Sequence, residues 1–266
     1  MTLSCIQQPH QHLQANLEDG VLTLAINRSE AKNALYGELY LWIAKALDEA
    51  DASKEVRVVI FRGAEQDFTA GNDMKDFMGF IQKPHEGKAG DQPPFVLLKA
   101  AARFSKPLII AVKGVAIGIG VTILLHADIV FADNTALFQI PFVSLGLSPE
   151  GAASRLLVKQ AGYQKAAELL FTAKKFDAAT AVKANLVNDI VEDAYATAQH
   201  TAQHLAALPL ASLKQSKALM KKDLAEIIAC VDDEAEIFMQ RVRSPEMIEA
   251  VQAFMQKRKP DFSQFN

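Results

Sequence analysis

The run Lys106-Pro107-Leu108-Ile109-Ile110-Ala111-Val112-Lys113-Gly114-Val115-Ala116-Ile117-Gly118-Ile119-Gly120 carries the reading of the fold. Residues 107–112 are an unbroken apolar run, the right length for a buried strand and too short for a helix. Gly114, Gly118 and Gly120 then make a glycine-rich turn, and residues 121–127 read as an apolar helix. The first N–H groups of a helix have no partner within it and sit at the positive end of its dipole. Where glycines strip away side chains, an anion can approach them. A phosphate or a developing oxyanion suits such a place. Close packing of strand on helix explains the same glycines. The spacing G-x-x-x-G-x-G is not the dinucleotide fingerprint G-x-G-x-x-G.

Outward from this run the pattern is α/β. Residues 12–16 and 21–26 read as strands joined by the hairpin signal Glu18-Asp19-Gly20. Residues 36–52 carry Leu39, Ile43, Leu47 and Ala50 at helical spacing, and 56–61 read as a buried strand. A polar stretch dotted with Gly and Pro runs to Pro94, with a short helix expected at 73–81. A helix follows at 95–104. Beyond the glycines, 128–132 and 136–140 are strand candidates. From Gly151 on, helices dominate apart from a short strand at 188–192, with helices expected at 193–208, 213–220, 224–243 and 245–259. The expected organisation is a core over residues 1–195 and a helical region over 196–266.

Composition narrows the function. The 266 residues carry 28 Lys+Arg and 31 Asp+Glu, a net charge of −3, with 50% hydrophobic and 22% charged residues. That is ordinary globular usage. The balance speaks against a nucleic-acid partner, which calls for a basic excess. Cys5 and Cys230 are too few for a disulfide framework or a cysteine-rich zinc site, and read as incidental thiols of a reduced, cytoplasmic protein. No secretory signal is expected, since no Lys or Arg precedes Arg28. The apolar stretch 114–125 is too short to cross a bilayer, so no membrane partner is expected. The last residues, Ser263-Gln264-Phe265-Asn266, are not a peroxisomal address. His200 and His204 lack a third ligand, so no metal is expected.

Further segments carry a resemblance. They are Asn27-Arg28-Ser29-Glu30-Ala31-Lys32-Asn33-Ala34-Leu35, Phe68-Thr69-Ala70-Gly71-Asn72-Asp73-Met74, Ile140-Pro141-Phe142-Val143-Ser144-Leu145-Gly146-Leu147-Ser148-Pro149-Glu150-Gly151 and Phe254-Met255-Gln256-Lys257-Arg258-Lys259-Pro260-Asp261-Phe262. With the glycine run, and in this order, they resemble the crotonase (enoyl-CoA hydratase/isomerase) superfamily over nearly the whole chain. The resemblance implies a spiral of ββα units with a C-terminal helical trimerisation region, and a homotrimer or dimer of trimers. It implies an acyl-CoA substrate and no separate cofactor, coenzyme A being part of the substrate. It places the two oxyanion-hole N–H groups on Asn72 and Ile119. Ala31, Ala70 and Asn72 would line the CoA and thioester channel. The basic run 257–259 would approach the CoA phosphates, or be a solvated helix end.

Departures from the family pattern select the reaction. Family hydratases use two glutamates, and the matching positions here are Thr122 and Phe142. Neither titrates near neutral pH. One carboxylate remains nearby, Glu150 in Ser148-Pro149-Glu150-Gly151, similar to the catalytic-base segment of the peroxisomal-type Δ3,Δ2-enoyl-CoA isomerases. The reading is an isomerase in which Glu150 carries a proton from C2 to C4 of a 3-enoyl-CoA, with Phe142 as an apolar wall that excludes water and raises the carboxyl pKa. Ser-Pro-Glu is also a good helix start, as at Ser244-Pro245-Glu246, and the two roles can coexist. His126 reads as a core histidine and Asp73 as a helix cap. Two alternatives stay open: cis–trans or ring-derived unsaturated acyl-CoA isomerisation on the same fold, and a non-catalytic acyl-CoA-binding module.

Overall fold

A computed structural model of the chain describes residues 3–82 and 87–265. In order, its elements are α1 (Ser4–Gln7), β1 (Leu13–Glu18), β2 (Val21–Ile26), α2 (Gly37–Ala52), β3 (Val58–Gly63), α3 (Met74–Gln82), α4 (Pro93–Arg103), β4 (Leu108–Val112), β5 (Val115–Ile117) and α5 (Ile119–Thr122). There follow β6 (Ile129–Ala132), β7 (Leu137–Gln139), α6 (Ala153–Ala161), α7 (Tyr163–Thr172), β8 (Phe176–Asp177), α8 (Ala178–Lys183) and β9 (Asp189–Ile190). Four helices close the chain: α9 (Ala194–Ala207), α10 (Leu210–Met220), α11 (Leu224–Arg241) and α12 (Pro245–Met255). Part of the polar stretch 79–94, at 83–86, lies outside the described residues.

Among the described residues the main sheet has the order β1-β2-β3-β4-β6-β9. Only β1–β2 is antiparallel, the hairpin turning at Asp19 and Gly20, which both have positive φ. The remaining pairs are parallel. A small sheet, β5-β7-β8, lies at its side. β4 explains why its sequence is apolar without alternation: a parallel strand covered on both faces needs apolar residues on both. Leu108, Ile110 and Val112 enter the large core, while Ile109 and Ala111 face a second cluster. That second face is covered by Ala194, Ala198, Ala202 and Ala206 of α9. One alanine every fourth residue lets the helix lie close on the strands.

The glycine run differs from its expected form in two ways. Val115–Ile117 is a strand, pairing with Leu137–Gln139 and bridging to Thr69. The expected helix begins earlier, at Ile119, and tightens into a 3-10 turn over Ile123–His126. Gly118, at φ 57° and ψ −116°, makes the sharp corner between strand and helix. β8 was not expected, being too short to leave a periodic signal. The fold is α/β with a helical C-terminal region, as expected, and α11 folds back over α4. Among the described residues no helix is long and apolar enough to cross a membrane.

A buried lysine fastens that region to the sheet. Lys217 of α10 is 5% exposed. Its Nζ donates to Asp128 Oδ2 at 2.6 Å and to the Lys106 carbonyl at 2.7 Å, and the same Asp128 oxygen accepts from the Leu108 amide. Removing one partner leaves the other charge poorly paired. Lys217→Met is expected to cost about 3 kcal/mol, the low end for a broken buried pair because Asp128 keeps one donor. Urea unfolding checks this. An unchanged midpoint would mean the pair holds nothing.

Candidate active site

Two chain segments form the floor of a groove of about 580 Å³. One is Ala70-Gly71-Asn72-Asp73, the other Ile117-Gly118. They are stitched together by Thr69 N–H to the Val115 carbonyl, 2.9 Å, and by Ile117 N–H to the Thr69 carbonyl, 3.1 Å. Asn72 follows Gly71, which sits at φ +84° with its α-carbon hard against the Ile117 carbonyl: a Cβ there would lie 2.6 Å from that oxygen. Among the described residues neither the Asn72 nor the Ile119 amide donates to a protein acceptor. Ile119 is buried and does not itself line the groove; it follows Gly118, which does. Ala31 and Ala70 line the groove, with Arg28 and Lys75 as cations at its wall. Phe142 lines it too, so the residue at the hydratase-acid position is an apolar wall.

Glu150 points inward. It is 3% exposed. The Thr122 hydroxyl donates to its Oε1 at 2.6 Å. Thus the threonine at the other hydratase-acid position orients the carboxylate that remains. Burial pushes the Glu150 carboxyl up to about 8; the Thr122 bond opposes this, and the Glu234 charge adds to it. The helix-cap alternative fails here. α6 starts at Ala153 with Ala152 as its N-cap, and the buried Ser148 hydroxyl has no partner. At the second Ser-Pro-Glu, Ser244 does cap α12, accepting from the Met247 amide. One tripeptide therefore serves two different ends.

Glu150 does not line the groove itself. It faces a small pocket of about 10 Å³ with Asn72, Phe95 and Phe238 among its walls. Asn72 and Phe238 belong to both cavities. Among the described residues, the phenylalanine rings lining this pocket are Phe95 and Phe238, with Phe142 one ring further out, 6.1 Å from Phe238.

Sequence reading missed several participants. Tyr40, fully buried on α2, donates its hydroxyl to Asn72 Oδ1. Burial, and then the Glu150 charge, raise its phenol well above the usual range. Phe238 and Glu234 lie four apart on α11, on one face. No motif marks any of the three, since each reaches the site from a helix distant in sequence. His126 is a core histidine as expected: its Nε2 lies 2.9 Å from the Gly151 carbonyl, and burial with the Lys221 charge pushes it down to about 3. A neutral ring donates there and holds the backbone next to Glu150. Asp73 accepts from the Lys75 and Asp76 amides at the start of α3 and pairs with Arg28 at 2.7 Å. In the basic run, Arg258 is held by Glu249 at 2.5 and 2.8 Å. Among the described residues no three His, Cys, Asp or Glu gather as a metal site would require.

The enoyl-CoA hydratase/isomerase family model matches residues 16–265. The chain belongs to the enoyl-CoA hydratase/isomerase family. It is 34% identical over 249 residues to enoyl-CoA delta isomerase 2 of Rattus norvegicus, covering 91% of this chain and 63% of the rat protein's length. It is 31% identical over 258 residues to 1,2-epoxyphenylacetyl-CoA isomerase of Escherichia coli, covering 95% of this chain and 98% of that protein. A solved structure of an Acinetobacter baumannii relative shares 83% identity with a TM-score of 0.90, covering 92% of this chain and 99% of that one. In this chain Thr122 is hydrogen-bonded to the buried Glu150, and Phe142 lines the groove.

Proposed function

We propose that the protein moves the double bond of a 3-enoyl-CoA to the 2-position, in the manner of the peroxisomal-type Δ3,Δ2-enoyl-CoA isomerases. The observation that carries this is Glu150, a buried carboxyl that accepts from the Thr122 hydroxyl and lines a small pocket sharing Asn72 and Phe238 with the groove. With the thioester oxygen on the Asn72 and Ile119 amides, the C2 proton becomes acidic. Glu150 takes it: the C2–H bond breaks, an O–H bond forms, and the electron pair spreads over a dienolate. Each amide donor is worth roughly 3 kcal/mol to such an oxyanion. Glu150 then returns the proton to C4 and the double bond settles between C2 and C3. No water is consumed, so two acids of the hydratase kind are unnecessary. Coenzyme A enters as part of the substrate, with Ala31 and Ala70 along its channel and the 257–259 run toward its phosphates. The assembly we expect is a homotrimer or dimer of trimers.

The test is direct. Purified protein mixed with a 3-enoyl-CoA should raise the absorbance of the conjugated thioester without forming a 3-hydroxyacyl product. Absence of both the absorbance change and deuterium uptake at C2 would favour a binding module instead. The second reading, a ring-derived unsaturated acyl-CoA as substrate, is favoured by the full-length similarity to the epoxyphenylacetyl-CoA isomerase. A panel of linear and ring-bearing substrates separates the two.

The base must be ionised to accept a proton. A carboxyl raised to about 8 therefore predicts that kcat/KM climbs with pH and levels off above that value. A profile already flat from pH 5 would assign the reaction to a group with an ordinary carboxylate pKa.

A further inference from the structure

We infer that Phe238 determines which acyl groups the site accepts. This rests on the reading of Glu150 as the base. The groove can take a thioester, but Glu150 opens into a pocket of about 10 Å³, no larger than a single water needs. Among the described residues, Asn72 and Phe238 are the shared walls. Asn72 is fixed by the Tyr40 hydroxyl and by the bridge to Leu35, so it cannot yield. Phe238 is the wall whose size sets the opening.

Geometry says where the ring stands relative to a substrate. If the thioester oxygen meets the Asn72 amide, C2 lies beside Asn72, and C3 and C4 must run on toward Glu150. That path crosses the Phe238 ring. The ring packs edge-on against Phe142 on the groove side, 6.1 Å between centroids, and against Phe95 on the pocket side, 5.8 Å. Beyond it lies the space bounded by Phe95, Met239 and Val242, which a smaller side chain at 238 would join to the groove. With Phe238 in place, a short, slender enoyl group is the fitting substrate. Carbons beyond C4, or a ring, must displace it further.

Binding of saturated acyl-CoAs of increasing length, followed by calorimetry, tests this without any turnover. Wild type should bind butanoyl-CoA and lose affinity for decanoyl- and phenylacetyl-CoA. Phe238→Ala should shift the preference toward the bulky ligands at least 10-fold relative to butanoyl-CoA. Phe238→Leu, which keeps more of the packing between Phe142 and Phe95, should shift it the same way by less, and serves where the alanine variant folds poorly. The same length preference in wild type and Phe238→Leu would overturn the assignment. So would a wild type that binds all lengths equally. Because binding needs no base, a failed Glu150 mechanism and a failed Phe238 assignment give different results.

Discussion

Glu150→Gln should lower turnover of 3-enoyl-CoA by about 10³-fold, within the range for losing a positioned general base, while acyl-CoA affinity changes little. Glutamine keeps the shape and still accepts the Thr122 hydrogen bond, so the loss isolates proton transfer. The stability of the variant supplies a second signature. The Glu150 carboxyl sits at about 8 in the folded chain, above its ordinary value of 4.5. Protons are therefore held more tightly in the folded state. The contribution to stability is complete below pH 4.5 and is lost as pH rises through 8. Glutamine carries no such penalty. The Tm of Glu150→Gln should match wild type near pH 4 and exceed it by a growing margin up to pH 8. A variant less stable than wild type at pH 8 would mean the carboxylate is stabilised in the fold, not strained.

Gly71→Ala is expected to cost nearly as much activity by a different route. At φ +84°, with the Ile117 carbonyl 2.6 Å from the site of a Cβ, the residue cannot change without prising the two floor segments apart. The Asn72 amide is carried on that turn. Losing one oxyanion donor costs about 10²–10³ in kcat, and Gly71→Ala should fall in this range with a smaller effect on KM. Gly79→Ala is the matched control. A Cβ there, on α3, meets nothing within 4 Å, and alanine is the better helix former. Its activity and Tm should equal or slightly exceed wild type. Equal activity in the Gly71 and Gly79 variants would free the Asn72 amide from any part in the reaction.

How much of this was legible in the chain depends on where each signal lies. The hairpin at Asp19-Gly20 and the buried strand at 108–112 follow from local pattern, because turn chemistry and an unbroken apolar run are both local. β5 was hidden inside the glycines: three residues show no alternation, and their partners, Thr69 and Leu137–Gln139, are distant in sequence. The alanine ladder of α9 was in plain view, yet its purpose depends on the sheet it covers. Of the candidates taken from motif order, Ala31, Ala70, Asn72 and Phe142 line the groove, Glu150 lines the small pocket, and Ile119 is buried behind Gly118. Thr122 was read as a lost acid, and only its 2.6 Å bond reveals what it does to Glu150. Tyr40 and Phe238 act through tertiary placement alone. Ser148-Pro149-Glu150 shows the limit from the other side, since the identical tripeptide at 244–246 is a true cap and this one is not.

The sharpest measurement follows a label. A 3-enoyl-CoA carrying deuterium at C2 is converted in ordinary water, and early product is analysed for the position of the label. One buried carboxyl serving both carbons, in a pocket with room for no more than about one water, should deliver part of that deuterium to C4. Product with no deuterium at C4, even in the first turnovers, would require separate groups at the two carbons and would contradict the assignment of Glu150 as the shuttle.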